Sequence, residues 1–332
     1  MKILKAAIIG TGYGERVMRP CINFSKNIDL KYIYSRNIKS KFKKKYKKII
    51  TNSLNKIKED KEIRVIFLET PPFTHLKYLN FFSKTNKHII CEKPLAHNKN
   101  EVKKIINLYK NKKTICGINH QLRFDPYIQE IKKLLKKKII GKEISISITH
   151  NTNKFKEKKK DSWWMKNNLG GGELNAIGSH LIDLVQFIFG DISQFNGAIK
   201  NYKNKNLSID LGFILNLKFL KNKIGLLQSS CNSKNNKGLS ITIVGEKGEI
   251  ILNNFNNLII KKNLNKKKII IKDKLKNKKN VGINPWRRAQ VHYLNHITSC
   301  ILKKKKFTGS EFNESLKNVT IMAICKKNRI KI

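Results

Sequence analysis

Acidic side chains are scarce in this chain: 22 Asp and Glu stand against 71 Lys and Arg, for a net charge of +49. That balance excludes an acidic disordered chain. Arginine is scarcer still, with 8 Arg beside 63 Lys and 39 Asn. Surfaces selected to bind phosphate lean on Arg, whose planar fork makes bidentate contacts. Lys, Asn and Ile share A- and T-rich codons, and the Lys residues are spread along the chain rather than gathered in one tail. The charge therefore reads as compositional drift onto a solvated surface, with no specific nucleic-acid partner. Salt-sensitive, non-specific binding to DNA or RNA follows from charge alone. Cysteine is sparse and scattered, at Cys21, Cys91, Cys116, Cys231, Cys300 and Cys325. No C-x-x-C pair occurs, which excludes a zinc knuckle or a thioredoxin-type site and predicts reduced, mostly buried thiols. Long apolar runs are missing too. The most apolar stretch, 181–189, is interrupted by Asp183 and Gln186, well short of the ~20 residues that span a bilayer; no membrane partner is expected. Residues 1–9 are too short for a secretory signal, so the expected location is the cytoplasm.

What remains is ordinary for a folded protein: 40% hydrophobic residues in a chain of 332, enough for about two domains with buried cores. Over the first ~120 residues, short β-branched runs at 6–9, 30–34, 64–68, 88–91 and 114–117 alternate with Lys-rich helical stretches, including 14–24. Such βαβ alternation predicts an α/β fold with a parallel sheet. Beyond about residue 125 the pattern changes. Amphipathic spacing predicts a helix over 127–138, alternation a strand over 144–149, and apolar periodicity a long helix over 172–189. Strand-like runs between 207 and 271, divided by Asn, Lys and Gly, predict an antiparallel sheet. Helices are expected over 291–302 and 315–325. The Lys- and Asn-rich tracts at 151–160 and 261–280 read as loops or exposed edges, where Lys discourages edge-to-edge pairing.

Gly10-Thr11-Gly12-Tyr13-Gly14-Glu15 follows the first strand and opens the first helix. In a dinucleotide loop the first glycine makes the tight turn, and the second lets the backbone approach a pyrophosphate at the positive end of the helix. The third fingerprint position holds Glu15, with Gly14 just before it. A carboxylate there repels a pyrophosphate unless it turns outward or pairs with Arg16. The second strand ends Tyr34-Ser35-Arg36, without the acid that binds a ribose 2′-hydroxyl in NAD-binding folds. A hydroxyl donor at Ser35 and a guanidinium at Arg36 suit a 2′-phosphate, so NADP is the expected cofactor, with NAD possible.

Three more segments follow in order: Thr70-Pro71-Pro72-Phe73-Thr74-His75 after the third strand, Cys91-Glu92-Lys93-Pro94 after the fourth, and 169–183, which runs from Leu169-Gly170-Gly171-Gly172 through Ala176 and His180 to Asp183. With the glycine loop and Asn119-His120-Gln121-Leu122-Arg123-Phe124, the chain resembles the Gfo/Idh/MocA family of glucose–fructose oxidoreductase and inositol dehydrogenase. The resemblance runs from about residue 2 to 191 and continues weakly through 243–248. It implies a Rossmann domain over 1–122, then an α+β domain over 123–332 with a large open, mostly antiparallel sheet, often used to form homo-oligomers. It also implies a nicotinamide cofactor and hydride transfer at a carbinol carbon of a sugar, polyol or derivative. Thr70, Pro71, Pro72, His75, Glu92, Lys93 and Asn119 fall at the implied cofactor site beside the loop residues.

Hydride transfer needs one group to stabilise a developing alkoxide and another to move the hydroxyl proton. At a strand end beside the nicotinamide, the Lys93 ammonium fits the first task. Pro94 fixes the backbone that follows, and the resemblance implies a cis peptide bond before it. His180 fits the second task, since imidazole titrates near neutral pH. These two groups are expected to flank the nicotinamide. Asp183 lies one helical turn after His180. Arg123 and Trp164 are candidate substrate contacts, Trp164 equally a packing anchor; Lys166 and Arg287 are weaker candidates for an anionic substrate. The chain departs from the family at Ala176, where inositol dehydrogenase carries an Asp four residues before the His. That departure leaves a non-catalytic, dinucleotide-binding regulator as the alternative. His292 and His296 are four apart, but Tyr293 stands where H-E-x-x-H needs Glu, so no metal site is expected.

Overall fold

The computed structural model describes residues 2–157, 162–204, 207–234, 237–278, 281 and 284–327. The ends of both Lys/Asn tracts, 158–160 and 279–280, lie outside them. The chain divides into two compact units: Met1–Phe124 with Lys274–Leu316, and Asp125–Asp273 with Lys317–Ile332. In chain order the first pass gives β1 (Leu4–Ile9), α1 (Arg19–Phe24), β2 (Ile28–Tyr34), α2 (Ser40–Lys45), β3 (Ile50–Thr51), α3 (Leu54–Glu59), β4 (Ile63–Leu68), α4 (His75–Phe82), β5 (His88–Cys91), α5 (Lys99–Tyr109) and β6 (Cys116–Ile118). Then come α6 (Pro126–Lys136), β7 (Glu143–Asn151), α7 (Ser179–Phe189), β8 (Ile192–Asn204), β9 (Leu207–Phe219), β10 (Ile224–Ser230), β11 (Gly238–Gly245), β12 (Gly248–Asn253), β13 (Asn257–Lys262) and β14 (Asn265–Ile269). The chain closes with α8 (Pro285–Lys303), β15 (Ser310–Glu311) and α9 (Ser315–Lys327).

In the first unit the sheet order is β15-β6-β5-β4-β1-β2-β3. Every pairing is parallel except β15 with β6. The central strands are apolar almost throughout, as strands covered on both faces must be. The sequence expects 274–316 in the second domain, but the segment packs with the first unit. Val291, Tyr293, Leu294 and Ile297 of α8 join Leu4, Ile8, Val65, Phe67 and Ile90 in one buried cluster. At roughly 1.5–3 kcal/mol per buried large side chain, that stripe holds α8 on the sheet. Asn284 caps the helix, its Oδ1 accepting from Trp286 N at 3.0 Å and Arg287 N at 3.3 Å, with Pro285 in the first turn.

The strand order reverses beside β1, between β2 and β4, and the carboxyl ends there are in register: Ile9 pairs with Leu68, Leu68 with Cys91, and Cys91 with Ile118. The next residue of each strand therefore falls in one row: Gly10, Glu69, Glu92, Asn119. Their amides continue the ladder, Glu69 N to Ile9 O at 2.8 Å, Glu92 N to Leu68 O at 2.9 Å and Asn119 N to Cys91 O at 2.8 Å. Ligands bind at such a switch point in open α/β sheets.

The second unit holds an eight-stranded sheet, β14-β13-β12-β11-β7-β10-β9-β8, antiparallel except where β10 meets β7. The helix α7 packs on β7 and α6 on α7. Asp125 caps α6, accepting from Tyr127 N at 2.9 Å. The strand β8, polar at many positions, was not expected. Its partner edge β14 carries the exposed Lys266, Lys267 and Lys268, in keeping with the expected exposed edge. Ile144, Ile214, Ile224 and Val244 are exposed on the strands.

Candidate active site

The glycine loop turns at Gly10, whose φ is +112°. A Cβ on Gly10 would lie 2.7 Å from the Glu69 carbonyl oxygen, so the turn sits tight against the end of β4. Gly12 differs: a Cβ there would meet nothing within 4 Å. Gly14 does the work expected of the third fingerprint glycine, because a Cβ on it would lie 2.5 Å from Ile8 Cγ2 and hold the helix off the strand. The chain then enters a wide π turn, Gly14–Met18, that leads into α1. Glu15 turns outward, as one of its two expected solutions requires, but its partners are Lys45 Nζ at 2.9 Å and the Tyr46 hydroxyl at 2.5 Å. These bonds hold its carboxyl below the usual range. Arg16 instead donates from Nε to Gly12 O at 3.1 Å, steadying the loop.

Beside the loop lies the row of strand ends. Glu92 is buried and accepts from Asn119 Nδ2, and the peptide bond between Lys93 and Pro94 is cis. Asn119 Oδ1 and Gln121 Oε1 are buried with no hydrogen-bond partner. The Tyr13 hydroxyl turns inward toward Gln121 Nε2 at 3.4 Å, and burial raises its pKa well above the ordinary value. Thr70 Oγ1 accepts from Thr74 at 2.8 Å, and Pro71 and Pro72 shape the turn that starts α4. His75 is fully buried, and burial pushes its pKa down to about 4, so the ring is neutral at pH 7 with one N–H. Its Nε2 lies 2.7 Å from Thr70 O, and its Nδ1 lies 3.1 Å from Leu95 O and 3.3 Å from the Cys91 sulfur, so the one N–H serves one of two carbonyls. His75 thus acts on the site by fixing the turn after β4 against β5.

At the end of β2, the Ser35 hydroxyl donates to Asn37 O at 2.9 Å, so the donor expected for a 2′-phosphate is engaged locally. Arg36 is exposed. Arg123 is buried and Nη2 donates to the exposed Glu314 carboxylate at 2.6 Å, a partner the sequence did not suggest. Arg287 donates to Arg16 O at 3.1 Å, and His296 packs at a tilt against Phe124 with centroids 4.7 Å apart.

In the second unit, the triple glycine is locked in place. A Cβ on Gly171 would lie 2.1 Å from Trp164 O, and one on Gly172 2.2 Å from Asp210 Oδ1. Asp210 Oδ2 accepts from Leu174 N at 2.5 Å. Burial raises the Asp210 pKa against the opposing pull of Lys326. Ser229 donates to Glu173 Oε1 at 2.6 Å. A second π turn, Leu174–Gly178, leads into α7, where His180 and Asp183 are buried three residues apart. Trp164 is buried in an apolar cluster with Met165, Ile209, Leu211 and Cys231, and Ala176 packs against that cluster. The alternative of a packing anchor for Trp164 matches this burial. Asp210 and Glu69 went unnoticed in the sequence. The signal in each case was an acid in or directly after an apolar strand, in a chain with few acids.

The structure thus brings together Gly10, Thr11, Gly12, Tyr13, Gly14, Thr70, Pro71, Pro72, Glu92, Lys93 and Asn119 in the first unit, while Trp164, His180 and Asp183 belong to the second. The open face at Gly12 and the orphan Asn119 oxygen fit a ligand with phosphate and polar groups.

Two family models match the chain: "Oxidoreductase family, NAD-binding Rossmann fold" over residues 4–120, and the "GFO/IDH/MocA C-terminal domain" over 128–251. An uncharacterised oxidoreductase of Synechocystis is 22% identical over 268 residues, which are 76% of this chain and 72% of that protein. Glucose-6-phosphate 3-dehydrogenase of Bacillus subtilis is 25% identical over 258 residues, 74% of this chain and 73% of that one. Among solved structures, levoglucosan dehydrogenase in complex with NADH and levoglucosan superposes with a TM-score of 0.85 at 18% identity, covering 98% of this chain and 97% of that one. At that identity the match speaks to the fold.

Proposed function

This chain belongs to the Gfo/Idh/MocA oxidoreductase family, and we propose that it transfers a hydride between a nicotinamide dinucleotide and a carbinol or carbonyl carbon of a sugar, polyol or derivative. The observation that carries this reading is Lys93, which directly follows Glu92 and so stands one residue beyond the row of strand ends that begins at the glycine loop. A bound dinucleotide supplies the hydride acceptor for alcohol oxidation, or the donor for the reverse reaction. Gly10, Thr11, Gly12 and Tyr13 hold its pyrophosphate, since Gly12 leaves the backbone open to close approach. The turn of Thr70, Pro71 and Pro72, together with Glu92 and Asn119, holds the nicotinamide end. The first unit is thus the cofactor domain and the second the substrate domain.

Lys93 stabilises the negative charge that develops on the substrate oxygen. His180 takes or returns the hydroxyl proton. Asp183 lies buried one turn on along α7. With Ala176 packed among apolar side chains, no carboxylate supports His180 from that position, so the ammonium carries more of the charge stabilisation. The missing acid at the end of β2 and the exposed Arg36 favour NADP(H) over NAD(H). The named sugar dehydrogenases among the relatives support a sugar-like substrate. The exposed Ile144, Ile214, Ile224 and Val244 support self-association through the second unit, and a cytoplasmic location suits reduced thiols.

A panel of sugars, polyols and sugar acids, scored by the absorbance of the reduced nicotinamide with NADP and with NAD, tests this reading. Turnover on at least one is expected. Lys93→Met is expected to lower kcat by about 10²–10³ with dinucleotide affinity held within about threefold. Unchanged turnover in that variant would remove Lys93 from the chemistry.

A further inference from the structure

Glu69 is only 3% exposed, and no N–H or hydroxyl donates to either of its carboxyl oxygens. It stands in the strand-end row directly beside Glu92, since Leu68 and Cys91 are paired partners in a parallel ladder. In-register neighbours on parallel strands point to the same side at roughly 4.8 Å spacing. The Cβ and Cγ of Glu69 lie under Gly14, 3.2 and 3.5 Å from where a Cβ on Gly14 would be, and its carbonyl backs the Gly10 turn. Two carboxylates at this distance can share a hydrogen bond only if one of them keeps a proton.

We propose that Glu69 is a positioning residue of the dinucleotide site: its carboxyl retains a proton and donates it to Glu92, which holds the Glu92 carboxylate beside the Asn119 amide and Lys93. This rests on the reading of that row as the cofactor site. The direction of the shared bond follows from the surroundings. Glu92 has the Asn119 amide, the Lys93 backbone N–H and the Lys93 charge to favour its anion. Glu69 has none of these, and burial together with the adjacent Glu92 raises its pKa well above the carboxylate range. The other titratable groups that face it are Tyr13, Cys21 on α1 and Cys91 on β5, each raised chiefly by burial and so neutral near pH 7, and none of them supplies a positive charge to balance a second anion. Arg287 on α8 opposes the shift at Tyr13 and Cys21. A monoanionic pair leaves one negative charge beneath the loop. A dianionic pair would add a second, close to where the pyrophosphate binds.

Glu69→Gln keeps a donor at this position but cannot titrate, whereas Glu69→Met keeps the length and loses the donor. The test measures NADPH and NADH dissociation constants across neutral and alkaline pH for all three proteins, with infrared difference spectra of the ligand-free forms. At neutral pH the wild type is expected to show the C=O stretch of a protonated carboxylic acid, absent in Glu69→Gln. Affinity in Glu69→Gln is expected within about threefold of wild type, and in Glu69→Met about tenfold weaker. Wild-type affinity falls as the pair gains its second charge at alkaline pH, and Glu69→Gln is flat over that range. If Glu69→Met fails to fold, the flat course of Glu69→Gln and the infrared band carry the test. The proposal is overturned if no acid band appears at neutral pH, if Glu69→Met binds like wild type with the same pH course, or if Glu69→Gln binds as weakly as Glu69→Met. A wild type that binds neither dinucleotide overturns the functional reading instead, and the infrared band still decides the shared proton.

Discussion

Two glycine-rich segments of this chain are built alike and used in opposite ways. Each leads through a five-residue π turn into an α-helix, at Gly14–Met18 in the first unit and Leu174–Gly178 in the second. Around 10–14, Gly10 and Gly14 are pressed against β4 and β1, while Gly12 between them faces open space. Around 170–172, Gly171 and Gly172 are both pressed, against the Trp164 carbonyl and the Asp210 carboxylate. The first segment keeps an exposed stretch of backbone that a ligand can approach. The second spends its glycines on locking the entry to α7, and so on fixing where His180 and Asp183 stand. Glycine count does not separate the two uses; what each missing Cβ would have met does.

The sharpest way to break this comparison is to add one carbon to each segment. Gly171→Ala drives a Cβ into backbone that cannot step aside, and is expected to cost about 3 kcal/mol, read as a shift in the urea midpoint. An unchanged midpoint would mean that the lock is not one.

Next in size is the clamp beside the open loop. The unfolded imidazole titrates near 6.5, while buried His75 does so at about 4. The unfolded chain therefore binds the proton first as pH falls. The stability from the neutral ring is full above pH 6.5 and is lost as pH drops toward 4, by about 3 kcal/mol. His88 is depressed over the same window, so His75→Gln is expected to flatten the pH dependence of unfolding only in part. A slope identical to wild type would contradict the neutral ring.

Smaller again is cofactor choice at the edge of the open loop. Arg36→Ala is expected to weaken NADPH about tenfold and NADH less than twofold, with the difference shrinking as salt is raised. Equal losses for both dinucleotides would remove the 2′-phosphate from the role of Arg36. The smallest effect on stability belongs to Gly12→Ala, expected within about 0.5 kcal/mol of wild type by urea unfolding, because its Cβ meets nothing.

The fold was legible wherever local pattern decides it. The strands at 64–68 and 88–91 are apolar because both faces are covered, and the first helix follows its glycines. The place of 274–316 was not legible. The apolar stripe of α8 is visible in sequence, but nothing local says that it lies on Leu4, Phe67 and Ile90 rather than on the nearer second sheet. The strand β8 was missed because Asn, Gln, Lys and Ser break its alternation. In the site, the motif residues Gly10, Glu92, Lys93 and Asn119 were readable, as was the cis bond at Pro94 from the resemblance. Their internal partners were not. Glu314 on Arg123 and Glu69 beside Glu92 each depend on register or on a tertiary contact that spacing does not encode, while the Ser35 bond to Asn37 O is a local turn contact.

The central claim is that the carboxyl edge of the first sheet receives a dinucleotide over Gly12. The direct measurement is the NADPH dissociation constant of wild type and Gly12→Val side by side, with the urea midpoint of each. Saturable binding in wild type, weakened at least tenfold in a variant that unfolds at the same urea concentration, is the expected result. Equal affinity in both proteins, or no saturable binding in wild type, would contradict the account.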